Sequence, residues 1–180
     1  MIILGLDPGI RNFGYAVLND TKVSRRGVWT PPGKGKLLAS QVLAYVLPLL
    51  AQLVAETAPE IAVIEEVVWR GMRRRITMPL SHVAGGALGL LVGQGVPVYL
   101  LTPGMKTRGV KTPRGWTEHE ADAANLARRV HGALSAVGDS GRKPSEVREA
   151  KRIFAARLVP SSASSGDMDG TSSISLRPHD

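Results

Sequence analysis

The run Ile2-Ile3-Leu4-Gly5-Leu6 holds no polar residue at alternate positions, and it stops at Asp7-Pro8-Gly9. Successive side chains of a strand point to opposite faces, so a strand that is apolar throughout needs apolar cover on both. This predicts the centre of a sheet with helices on either side. Proline and glycine force a turn, which leaves Asp7 at the carboxyl end of that strand. The pattern recurs at Ile61-Ala62-Val63-Ile64, which runs into Glu65-Glu66. If the two strands are neighbours, the carboxylates of Asp7 and Glu65 lie side by side at a strand end, where α/β sheets build their sites.

The remaining elements fill in around these two strands. Residues 14–18 and 22–29 read as strands joined by a turn at Asn19-Asp20, giving an antiparallel opening meander. TPPGKGK (30–36) reads as a linker. Residues 37–55 are uncharged for nineteen positions, close to the roughly 20 that cross a bilayer. Ser40, Gln41, Gln52 and the central Pro48 argue against lipid. Val42, Val46, Leu49 and Leu53 recur at three- and four-residue spacing, which predicts a core helix reaching Thr57 and kinked or restarted near Pro48.

A helix over 77–93 carries Ala84, Gly85, Gly86, Ala87 and Gly89. Each glycine costs a helix about 1 kcal/mol against alanine, so the run predicts close packing, either on the sheet or on a copy of itself. Residues 96–101 form a further strand and 102–115 a basic loop. Thr117 and Glu120 make a capping box that starts a helix at Glu118 and runs to Gly132. The order β-β-β-α-β-α-β-α describes an α/β fold with a mixed five-stranded sheet and helices on both faces. Residues 1–132 make one domain, 133–159 a helical extension with a helix near 145–158, and 160–180, with seven serines and three acids, a disordered tail.

Charge narrows the choice of partner. The net charge is +8 and the pI is near 10.3, values that favour a polyanion. Residues 66–115 carry eight of the basic side chains against a single acid, Glu66. Arg70, Arg73, Arg74 and Arg75 form one knot; Lys106, Arg108, Lys111 and Arg114 form the other. Without cysteine there is neither a disulfide framework nor a thiolate metal site, which fits a reducing cytoplasm. No signal peptide is read at the amino terminus.

Taken singly, an Asp before Pro-Gly is a turn residue, and acids in a first helical turn complement the helix dipole. Together they read differently. His119 and Asp122 are three apart and project from one face of the last helix, with Leu126 and Val130 continuing it towards the core. Carboxylates gathered in a basic protein repel one another, and repel a polyanion, unless a divalent cation neutralises them. Oxygen ligands select Mg²⁺ or Mn²⁺.

The opening GLDPGIRNFGYAV resembles the first motif of the RuvC family of Holliday-junction resolvases. AVIEEVVW (62–69) is similar to the family's second motif and EHEADAANLA (118–127) to its last, in the form His-x-x-Asp. The resemblance spans residues 1–132 and implies an RNase H-like fold. It also implies a homodimeric endonuclease that cuts four-way DNA junctions with two Mg²⁺ or Mn²⁺ ions, leaving 5′-phosphate ends. Asp7, Glu65, His119 and Asp122 then stand as metal ligands and catalytic residues. Arg11 falls in the order of the first motif, and Lys106 takes the part of a phosphate-contacting lysine. Both basic knots, with Lys111 and Arg114, are expected on DNA. The family commonly has a phenylalanine a few residues after the glutamate that probes the junction's bases; this chain offers Trp69 instead, one position along from Val68. The chain departs from the family in the shortness of Thr102–Gly115, fourteen residues, and in having no counterpart for the tail. Gly5–Val17 also resembles the phosphate loop of sugar-kinase and actin-like ATPases, but those need a second lobe for which 180 residues leave no room. A catalytically silent branched-DNA binder of the same fold is the other alternative.

Overall fold

The computed structural model describes residues 1–67, 74–102 and 112–136, with the side chains of 74–77 outside that description. Five strands and three helices follow in the expected order: β1 (Ile2–Asp7), β2 (Phe13–Asn19), β3 (Lys22–Trp29), α1 (Ala39–Thr57), β4 (Ile61–Glu65), α2 (Arg74–Gly93), β5 (Val98–Leu101) and α3 (Glu118–Ala136). The expected helix near 145–158 and the tail from 160 lie outside the described residues.

The strands pair in the order β3-β2-β1-β4-β5. β2 is antiparallel to both β1 and β3, whereas β4 is parallel to β1 and β5 parallel to β4. The apolar run of β1 sits in the middle, as a strand without alternation must. Its alternate residues divide between two cores. Leu4 and Leu6, with Phe13, Val17, Ala62 and Ile64, pack beneath α1 and α2. Ile3, with Ala16, Leu18, Val63, Tyr99 and Leu101, packs beneath α3.

α1 is long and apolar enough to cross a membrane by length and composition alone. Its face of Val42, Val46, Leu50, Leu53 and Val54 is nonetheless buried in the first core. The helix runs unbroken through Pro48, so the expected restart does not occur. Pro48 and Ala44 are exposed; the carbonyl that loses its bond to the missing N–H faces water, which can satisfy it. The chain enters α1 with the Leu38 N–H donating to Gln41 Oε1 at 2.9 Å. It leaves at Ala58, left-handed at φ 42°, whose N–H donates to the Val54 carbonyl at 2.8 Å.

β5 begins two residues later than expected. Pro97 has no N–H to give a ladder, though its carbonyl accepts from Ala62 at 2.9 Å. α3 continues past Gly132 because Ala133 and Ala136 are buried against the sheet, and packing outweighs the helix cost of one glycine. In α2, a Cβ on Gly86 would meet the Leu43 side chain at 2.4 Å, whereas one on Gly85, Gly89 or Gly93 would meet nothing within 4 Å. The close approach within the molecule is therefore to α1 rather than to the sheet.

Candidate active site

Asp7 and Glu65 end neighbouring parallel strands. Leu6 pairs with Ile64, so the next residue on each strand is an acid. Parity sets both on the face covered by α3, since Ile3 and Val63 belong to that core and the side chains alternate. The juxtaposition anticipated from two apolar runs is thus realised on one side of one sheet edge.

Asp7 is the only buried polar or charged residue among those described, at 5% exposure. Burying a carboxylate is costly unless it is hydrogen-bonded. One partner comes from α3: His119 Nδ1 lies 2.7 Å from Asp7 Oδ2. An ionised carboxylate can only accept, so the imidazole donates from Nδ1, and in the neutral ring Nε2 keeps its lone pair. Glu65, Asp122 and His119 are half-buried. Asp122 stands one turn beyond His119, on the side continued by Leu126 and Ala133, both buried.

Two glycines bring α3 this close. A Cβ on Gly5 would fall 2.0 Å from the Ala123 carbonyl oxygen, and one on Gly14 would fall 2.4 Å from the carbonyl oxygen of His119 itself. Gly14 pairs with Asp7 across the ladder. Only a strand without Cβ atoms at these points lets the helix backbone down onto the sheet. Neither glycine is read from sequence as a point of close approach, although a glycine inside an apolar strand is the signal for one.

The start of α3 is held from its other side. Thr117 N–H donates to Glu120 Oε2 at 2.7 Å, and Glu120 N–H donates to Thr117 Oγ1 at 3.2 Å, which is the anticipated capping box. Glu120 Oε1 lies 3.5 Å from Arg26 Nε. The Arg26 guanidinium covers the Trp116 ring at 4.3 Å from its centroid, with Arg128 at 5.9 Å. Arg26 and Trp116 had no place in the sequence reading, because nothing in their local spacing joins a residue of β3 to one ahead of α3.

Two carboxylates on one face, a third on α3 and an imidazole form a donor set suited to a hard or borderline divalent cation. Among the described residues no three His, Asp or Glu side chains already stand as a ready metal cluster. Asp7 and His119 instead satisfy each other.

Of the side chains expected on DNA, Arg11 and Arg114 are exposed. Arg11 Nη1 donates to the Gly33 carbonyl at 2.9 Å. Trp69, Arg70, Arg73, Lys106, Arg108 and Lys111 lie outside the described residues, as do the side chains of Arg74 and Arg75.

No family model matches the chain. Among curated proteins, the crossover junction endodeoxyribonuclease RuvC of Cupriavidus metallidurans is 32% identical over 104 residues, 57% of each chain. Those of Bordetella avium and Anaeromyxobacter dehalogenans are 33% and 35% identical over 108 and 107 residues, 57% of this chain in both cases and 57% and 56% of theirs. The chain spans little more than half the length of these relatives. Among solved structures, T. thermophilus RuvC in complex with Holliday junction substrate superposes with a TM-score of 0.62 at 20% identity, over 78% of this chain and 97% of that one. A second Thermus thermophilus RuvC structure gives 0.60, over 77% and 96%. The fold is therefore that of the RuvC proteins, RNase H-like, and the resemblance of this chain to the RuvC family is borne out in sequence and in structure.

Proposed function

We propose that this chain is a divalent-metal-dependent endonuclease that resolves four-way DNA junctions by paired phosphodiester hydrolysis. The observation that carries the reading is the Asp7–His119 contact of 2.7 Å, made on the sheet face that also takes Glu65. Two residues 112 apart in the chain meet at a strand end beside a second acid, in a protein of net charge +8. The RuvC of T. thermophilus, whose fold this chain shares, has been solved with a Holliday junction substrate.

Asp7, Glu65, Asp122 and His119 would hold Mg²⁺ or Mn²⁺, two ions per site. Bound there, such ions would lower the pKa of water and neutralise charge at the leaving oxygen. Asp7 orients the His119 ring through Nδ1, as carboxylates do for histidines in metal sites. Glu65 accepts the proton of the attacking water. The new P–O bond forms as the bond to the 3′ oxygen breaks, leaving a 5′-phosphate and a 3′-hydroxyl. Arg11, the Arg70–Arg75 knot and the Lys106–Arg114 knot hold flanking phosphates, while Trp69 stacks on an exposed base.

Two symmetric cuts call for a two-fold homodimer. The row Gly85, Gly89 and Gly93 on α2 supports a contact between copies, because it is exposed and an added Cβ would meet nothing there. Action on DNA, in a chain without cysteine, goes with a cytoplasmic setting.

The test is Asp7→Asn, Glu65→Gln and Asp122→Asn on a synthetic junction with Mg²⁺ or Mn²⁺. Each is expected to abolish cleavage while junction binding persists, since the carboxylates attract metal rather than DNA. Full cleavage by any one variant removes that residue from the site. A second reading, a catalytically silent branched-DNA binder, draws on the lack of a preformed three-ligand cluster among the described residues. A wild-type chain that binds junctions but nicks none with either metal establishes it.

A further inference from the structure

The segment 30–36 reads from sequence as a linker, yet it is pinned at both ends and in the middle. Pro31 and Leu37 are buried, whereas 32–36 are exposed. The Thr30 hydroxyl bonds to Asn12 Oδ1 at 3.2 Å, and Arg11 Nη1 donates to the Gly33 carbonyl at 2.9 Å. Gly33 and Gly35 hold φ at +118° and +83°, values that other residues rarely adopt. Lys34 and Lys36 are thus carried on an arch of defined shape fastened to the turn that follows Asp7. Neither lysine has an ion-pair partner among the described residues.

Topology sets the arch at the edge where the acids lie. β3 runs parallel to β1, both being antiparallel to β2. Trp29, the last residue of β3, pairs with Phe13, one position from the Gly14 that pairs with Asp7. β4 and β5 end at the same edge, at Glu65 and Leu101. Along it, Asp7 and Glu65 take the centre, and Leu101 ends β5 at one side. Arg11, Lys34 and Lys36 stand on the opposite side. At ~4.8 Å between strands, β3 lies ~10 Å from β1, about three nucleotide steps along a duplex axis at ~3.4 Å of axial rise each.

We infer that Arg11, Lys34 and Lys36 form a phosphate-binding arch that grips the DNA strand on the β3 side of the acids. This rests on the nucleic-acid reading above. Arg11 can serve both roles, because a guanidinium has five N–H donors and the Gly33 carbonyl takes one. Contacts there would hold the strand against pivoting about the scissile phosphate.

The test measures affinity for a synthetic four-way junction against salt concentration, in chelator, for wild type, Lys34→Gln, Lys36→Gln and the double variant. Lys22→Gln is the control. It removes the same charge from the exposed start of β3, at the opposite end of the sheet from the arch. Each arch variant is expected to flatten the slope of log K against log[salt] by about 0.9, the loss of one phosphate contact, and the double variant by about twice that, with Lys22→Gln unchanged. All these side chains are exposed, so melting should stay at the wild-type temperature. A wild-type slope in the double variant overturns the arch, and so does an equal loss in Lys22→Gln, which would mark a general charge effect. A wild-type chain with no salt-dependent affinity for DNA overturns instead the reading beneath it.

Discussion

His119 and Asp7 lie 112 positions apart in the chain, and their Nδ1 and Oδ2 atoms are 2.7 Å apart. The contact joins the start of α3 to the end of β1 and gives the buried carboxylate a hydrogen-bond donor. His119→Ala removes the ring that Asp7 orients and should reduce junction cleavage by at least the roughly 10–100-fold that loss of an orienting partner alone costs a metal site. His119→Asp, which restores an oxygen donor but not the imidazole, should recover part of it. The measurement is single-turnover cleavage at several Mg²⁺ and Mn²⁺ concentrations, and a rate that does not respond to either substitution would remove His119 from the site.

Gly14 sets the height of that contact. A Cβ there would press on the backbone carbonyl of His119 at 2.4 Å, and backbone cannot turn aside as a side chain does. Gly14→Ala should therefore lift the start of α3, cost about 1–3 kcal/mol of stability as overpacking does, and slow cleavage. Gly5→Ala presses instead on Ala123, one turn along, and should destabilise the fold comparably while affecting the rate less. Chemical denaturation paired with cleavage rates separates the two; equal effects on the rate would count against a local role for Gly14.

Arg25 and Arg26 are adjacent on β3 and point to opposite faces of the sheet. Arg26 meets Trp116 and Glu120 beside α3, while Arg25 bonds to Glu56 at the end of α1. Arg26→Met keeps an apolar stem but removes the charge, so it should lose about 0.5–1 kcal/mol from the cation–π contact and loosen the start of α3. Arg26→Lys should keep more of the stability than Arg26→Met. Thermal melts of the three proteins check the order.

The Arg25–Glu56 pair predicts a pH dependence. Arg25, and then Gln52, hold the Glu56 carboxyl below its ordinary range. A carboxyl whose folded pKa is depressed stabilises the fold above its unfolded value and loses that contribution as pH falls through the folded one. Glu56→Gln should therefore melt slightly below wild type at neutral pH, and the two curves should converge as acid carries Glu56 below the usual glutamate range of roughly 4.3. The difference is small because both groups face solvent. A gap that widens in acid would reverse the assignment.

Much of this arrangement was legible in the chain itself. Two apolar runs, each ended by an acid, determined central strands and the place of Asp7 and Glu65 on them, because burial on both faces leaves a strand no other position. Thr117 and Glu120 determined where α3 starts, since a capping box is a local device needing only three residues of spacing. The pairing of β1 with β4, the descent of α3 onto Gly5 and Gly14, and the division of Arg25 and Arg26 between two helices were decided only in the tertiary structure. So was the fastening of TPPGKGK, a linker by its sequence, to Arg11 and Asn12. These depend on contacts between segments far apart in sequence, where register and backbone approach are set by the packing of the whole sheet. Local propensity carries no information about which distant carbonyl a missing Cβ will admit.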